Sequence, residues 1–288
     1  MDKKICIIGR NRRASNLPVK AKLIIQAELR NGITCLGQNY FTAPFKLANI
    51  TEDKRAKQLH LMLMSSSPGI LDGDEYEIKI EMGEGAELAL HTQSYQRLFD
   101  MKAGARQAME VHLQKQTSFV YLPHPAVPHG NSVFVSTNKI YLSNHCRLVW
   151  GEIITCGRKL NGEVFQLSKY HNITEVFMND KLVIRENLLM QPSQIDPAQI
   201  GQLEGFTHQA SLIYVDEKAD CTIVSNTIYE YLMLQKEVIF GVTTAPINGL
   251  LIRLLGHKAA QLYDCLQAIN TILSTFSRKK NEVSIYAQ

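Results

Sequence analysis

The sequence predicts a mainly β protein, a stack of paired strands with a few short helices and one amphipathic helix towards its C-terminal end. Three observations carry this. Apolar and polar residues alternate over several stretches, the period of half-buried strands. Turn signals rich in Gly and Asn separate those stretches. A strand–turn–strand unit also returns at intervals of roughly thirty residues, within the range of stacked β-coils.

From Val19 to Leu29 the apolar residues Val19, Ala21, Leu23, Ile25, Ala27 and Leu29 share one face. Asn31-Gly32 follows, the strongest short hairpin signal, and Ile33 begins the return strand. Tyr76, Ile78, Ile80 and Met82 then alternate with charged residues, turn at Gly83-Glu84-Gly85, and resume as Ala86, Leu88 and Leu90. Val111 and Leu113 lead in the same way to Phe119 and Tyr121, and Ile140 and Leu142 to Leu148 and Trp150. Laying Ile80, Leu113 and Leu142 over one another superposes Leu88, Tyr121 and Trp150. Each unit leaves an apolar face that only its neighbours can cover, so the units are expected to stack. An antiparallel meander of similar hairpins gives the same spacing and stays open as the alternative.

Further on, Leu182 to Ile184, Ser211 to Val215, Thr222 to Val224 and Glu237 to Val242 read as strands. Asp196-Pro197 suits a short helical turn within residues 192–203. From Leu255, the positions Ala259, Leu262, Leu266, Ile269 and Leu273 advance by three or four, predicting an amphipathic helix over Leu255 to Leu273 that ends near the basic tail. No linker or low-complexity run divides the chain, so one domain over 1–288 is expected.

The 288 residues carry a net charge of only +4, with basic clusters at Arg10, Arg12 and Arg13 and at Arg278, Lys279 and Lys280. A nucleic-acid-binding protein concentrates its basic residues on one face, and this chain spreads them. The apolar run Ile5 to Ile8 is too short for a signal-peptide core or a membrane span, which points to the cytoplasm. The six cysteines form no Cys-x-x-Cys pair and read as small, reduced core residues.

No Gly-rich loop with Lys-Ser or Lys-Thr is present, so a nucleotide used alongside this protein belongs to a partner. There is no Gly-x-Ser-x-Gly elbow either, and Ser65 to Gly69 reads as a turn. His124 and His129 project from a stiff segment holding Pro123, Pro125 and Pro128. Imidazole suits nickel and zinc, but two histidines are half a site; exposed polar loop residues are the better reading, and the stiff prolines equally suit an edge presented to a partner protein. Glu152 interrupts the apolar run Trp150 to Ile154, so a buried carboxylate is expected, with Arg158 the nearest partner. Asp74 is expected to cap a turn or line a polar cavity, and Asp72 with Asp74 leaves a glycosidase-like carboxylate pair open.

Several segments, in order, resemble the urease accessory protein family UreD (UreH). They are Asn39 to Leu47, the turn Ser67 to Asp74, Thr92-Gln93 with Arg97, Leu122 to Pro125, Trp150 to Ile154 with Gly157-Arg158 and Gly162-Glu163, and Leu250 to Gly256. His91 departs from the pattern, standing where a second Thr or Ser is common. The resemblance implies a β-helix-like fold and a non-enzymatic role as a urease maturation factor. It further implies association with UreF, with UreG as the GTP-binding partner, and with apo-urease. Nickel is expected to pass transiently through an internal channel, with no tightly bound cofactor. Asp74, Glu152 and Glu163 are the expected transient ligands, with His124 and His129 behind them.

Overall fold

The structure, a computed structural model, describes residues 18–285, with side chains up to residue 276. Cys6, the apolar run Ile5 to Ile8 and both basic clusters fall outside the residues or side chains described. The chain opens with a hairpin of β1 (Lys20–Arg30) and β2 (Ile33–Phe41), then β3 (Phe45–Asn49) and β4 (Leu59–Ser65). Three similar passages follow: β5 (Glu75–Met82), β6 (Glu87–Thr92) and the short β7 (Gln96–Leu98); β8 (Ala105–Leu113), β9 (Ser118–Tyr121) and the short β10 (Ala126–Pro128); β11 (Val133–Leu142) and β12 (Arg147–Thr155). The chain continues as β13 (Lys169–Met178), β14 (Lys181–Met190), β15 (His208–Asp216), α1 (Cys221–Met233), β16 (Ile239–Thr244), β17 (Gly249–Gly256) and α2 (Ala259–Ile285).

These strands make two mixed sheets, and neither closes on itself. The first runs β14-β13-β11-β8-β5-β1-β2, the second β16-β17-β15-β12-β9-β6-β4-β3. Their middles are parallel: β1, β5, β8, β11 and β13 in one, β4, β6, β9 and β12 in the other. Corresponding strands of the repeated unit therefore lie side by side in parallel, which an antiparallel meander forbids. The apolar phase of each strand faces the space between the sheets, where Leu23, Ile25, Ile80, Val111, Ile140 and Val176 from the first meet Leu61, Leu88, Phe119 and Leu148 from the second. A second core fills the other face of the second sheet, under α1 and α2.

Particular expectations fare differently. Asn31 and Gly32 both take positive φ, 51° and 80°, as the predicted hairpin requires. The repeat is real but its first register is slipped: Met82, not Ile80, lies beside Leu113, and Leu90, not Leu88, beside Tyr121. A slip of two keeps every side chain on its face, so alternation alone does not expose it. Thr222 to Val224 is helical, not extended. Asp220 accepts from the Thr222 and Ile223 N–H groups as an N-cap, and Val224, Ile228 and Leu232 form a buried stripe at helical spacing. Leu255 belongs to β17, opposite Gln209, and the last helix begins only at Ala259, past Gly256. Residues 192–203 form turns without a helix. Of the described cysteines, Cys146, Cys156 and Cys265 are buried. Among the described residues no helix is long and apolar enough to cross a membrane.

Candidate functional site

Between the sheets, inward-facing residues are not all apolar. Ser136 and Asn138 share the buried phase of β11 with Ile140 and Leu142, and Asn172 and Thr174 share that of β13 with Val176. Opposite them, β12 turns Trp150 and Glu152 inward. The Glu152 carboxylate accepts from Trp150 Nε1 at 2.8 Å, Thr174 Oγ1 at 2.7 Å, Asn138 Nδ2 at 3.3 Å and also from Asn172 Nδ2. Burial pushes its pKa above the ordinary carboxylate range, against the opposing pull of these donors.

Glu152 is the inner wall of a cavity of about 160 Å³. Phe45, Ser67 to Ile70, Thr92-Gln93, Pro123-His124 and Trp150 line the same cavity, so segments far apart in sequence converge on it. Behind Glu152 lies a second space of only about 20 Å³, bounded by Tyr170, Asn172, Glu186, Leu188 and Gln209. That is room for about one water. Glu186, Leu188 and Gln209 also border a third cavity of about 450 Å³, where Arg253 Nη2 donates to Glu186 at 2.6 Å. The small space thus shares Glu152 with the first cavity and Glu186 with the third.

The five expected site residues are dispersed. Asp74, 2% exposed, accepts from Val19 N at 3.0 Å, Leu71 N at 2.9 Å and Tyr76 Oη at 3.1 Å; it caps a turn and does not line the cavity. Asp72 is likewise held by the Ala103 and Gly104 N–H groups, so the two aspartates are turn caps and not an acid–base pair. Glu163 binds Arg158, with Nε to Oε2 at 2.7 Å, so Arg158 serves Glu163 and not Glu152 as expected. Sequence reading gave Glu152 a single cationic partner, whereas the fold surrounds it with neutral donors from three strands. His124 stands at the cavity mouth, its Nδ1 3.0 Å from Thr92 Oγ1 and its ring stacked on Tyr263 of α2. His129 is buried edge-on against Phe99, not exposed on a loop. Burial lowers the pKa of both imidazoles. Among the described residues no three His, Cys, Asp or Glu side chains are grouped to hold a metal ion.

Sequence reading missed Asn138, Asn172, Thr174 and Glu186. The first three carried a usable signal, since each is a polar residue on the apolar phase of its strand. Glu186 carried none, because β14 alternates only weakly in burial.

The fold and the site define a two-sheet β protein with cavities between its sheets, the first lined by aromatic and aliphatic side chains together with hydroxyl, amide and carboxylate groups around Glu152. Comparison with known proteins identifies which such proteins are its kin. The family model described as UreD urease accessory protein matches residues 19–284, and the chain belongs to that family. It is 45% identical over 261 residues to the urease accessory protein UreD of Flavobacterium johnsoniae, covering 90% of this chain and 94% of that one. It is 32% identical over 259 residues to the protein of the same name from Acetivibrio thermocellus, covering 88% and 97%.

Proposed function

We propose that this protein is a non-catalytic scaffold in urease maturation, binding UreF and UreG and conveying nickel to apo-urease through the passage between its sheets. Family membership supports the maturation role. The observation that carries the conduit is the convergence of the family-like segments on one cavity whose inner wall is Glu152. The turn-by-turn crossing between sheets supports reading the middle of the chain as a β-helix-like stack, whose axis runs through the interior. The same reading puts the protein in the cytoplasm with its partners.

The passage dictates how a cation travels. The space behind Glu152 holds about one water, so a hydrated divalent ion sheds most of its shell there. The carboxylate replaces that lost solvation. Asn138 and Asn172 can rotate their amides to offer carbonyl oxygens in place of N–H groups. Such an oxygen-rich set holds nickel more loosely than clustered imidazoles or thiolates, as transit requires. Asp74 and Glu163 have their oxygens committed elsewhere and serve the frame of the passage.

Two measurements test this. Size-exclusion mass of the chain co-purified with the UreF-type protein of its own organism is expected to show a stable complex; a well-folded chain that stays alone removes the partner assignment. Glu152→Ala is expected to keep that complex yet lose nickel-dependent urease activation. Activation equal to wild type sinks the conduit.

A further inference from the structure

We propose that His60 and His91 form a binding site for a divalent transition-metal ion, with two imidazole ligands and water in the remaining positions, on the outer face of the second sheet beside the cavity mouth. His60 lies on β4 and His91 on β6, which pair in parallel. Their neighbours in sequence, Leu59, Leu61 and Leu90, are buried between the sheets, so both imidazoles project from the opposite face. His60 Nδ1 and His91 Nε2 are 3.1 Å apart, and the ring planes differ by 12°. Two nitrogens bound to one ion at about 2.1 Å and at right angles lie about 3.0 Å apart. The pair is therefore already at the spacing of adjacent ligands on a square-planar or octahedral ion.

Without an ion, the same spacing suits one N–H···N hydrogen bond between the rings. Binding needs the shared proton to leave the facing nitrogens for the far nitrogen of its own ring and each ring to swing through roughly 45°, because a centroid separation of 5.4 Å over a 3.1 Å nitrogen gap leaves the two lone pairs aimed at one another. Burial pushes both imidazoles below their ordinary range, His91 further helped by His60 and His124. The neutral imidazole is the form that ligates. No third protein ligand is grouped with them among the described residues, so the ion keeps exchangeable waters. The location gives the site a use. His91 precedes Thr92, which bonds His124, and Thr92 and His124 both line the cavity mouth. A role as loading station for the passage rests on the conduit reading; metal binding itself does not.

The test is calorimetric titration of untagged full-length protein with NiCl2 at pH 7.5, for wild type, His60→Ala, His91→Ala, the milder His60→Gln and His91→Gln, and the half-buried control His171→Ala on the other sheet. Trp150 fluorescence checks that each variant is folded. Wild type is expected to bind one ion that the His60 and His91 variants lose or hold at least about tenfold more weakly, since losing even a supporting partner costs a metal site that much. His171→Ala is expected to match wild type. Folded His60 and His91 variants with the wild-type isotherm overturn the site, as does a wild type that binds no ion. If the site behaves as expected while Glu152→Ala activates urease normally, the conduit reading fails and the site stands.

Discussion

Asp74 offers a sharp test of whether a buried carboxylate here is frame or route. It is 2% exposed, and its two oxygens accept from the Val19 and Leu71 N–H groups and the Tyr76 hydroxyl. These bonds tie the start of β1, the turn before β5 and β5 itself together. Asp74→Ala removes the acceptor that all three donors share. An unsatisfied buried polar group costs about 1–3 kcal/mol. The tyrosine hydroxyl is the most enclosed and takes the upper part of that range, while the two amides, nearer solvent, recruit water and take the lower part. The expected loss is about 3–5 kcal/mol, a large share of the roughly 5–15 kcal/mol that holds a domain folded. Asp74→Asn keeps one acceptor oxygen and is expected to lose about 1–2 kcal/mol. Urea unfolding followed by the fluorescence of the single tryptophan, Trp150, measures both, because that ring is 2% exposed in the central core. An alanine variant within 1 kcal/mol of wild type would refute the assignment of Asp74 to the frame.

Other perturbations probe the site from different sides. Burial raises the pKa of Glu152, so the folded protein holds that proton more tightly than the unfolded chain does. Its ionisation then costs stability as pH rises from the unfolded carboxylate value, about 4.3, through the folded one. Glu152→Gln should accordingly gain on wild type in urea unfolding at pH 7.5 relative to pH 4, and a difference that does not change with pH contradicts this. A Cβ on Gly151 would stand 2.5 Å from Leu122 Cδ2 and 3.1 Å from Leu266 Cδ1, where α2 lies on the second sheet. Gly151→Val is therefore expected to cost about 1–3 kcal/mol by overpacking, and an unchanged unfolding midpoint would show that α2 yields freely. Glu163 lies outside the three cavities, so Glu163→Gln should lower stability by about 1 kcal/mol or less and leave nickel-dependent urease activation intact. Loss of activation in a folded Glu163 variant would return that residue to the route.

Much of the frame was legible in the sequence because alternation and turn chemistry are local. The β1–β2 hairpin, the three sheet-crossing turns and the inward faces of β1, β5 and β6 all follow from residues within reach of one another. What was not legible depends on distant partners. The repeat was misaligned by two residues because either alignment buries the same faces. Thr222 to Val224 has β-branched residues, yet the cap from Asp220 and the stripe through Ile228 and Leu232 make it a helix. Glu152 was recognised as buried from its apolar neighbours, but its four donors come from β11, β12 and β13, and only the parallel register brings Asn138 beside Asn172 and Thr174. His60 and His91 are 31 residues apart and meet only because β4 and β6 are neighbours.

The contrast between Asp74 and Glu152 also says which carboxylate can exchange ligands. Two of the three partners of Asp74 are backbone N–H groups, and releasing them means moving β1 and the turn at Leu71. Glu152 is held only by side-chain donors: an indole, a hydroxyl and two amides. The hydroxyl and the amides rotate about single bonds without disturbing a strand, and the amides can present oxygen as readily as N–H. A carboxylate tied to the backbone is a structural clamp. One surrounded by reorienting side chains can give up its partners to a passing cation and take them back afterwards. Under the proposed conduit reading, that difference assigns the transit step to Glu152 and the frame to Asp74.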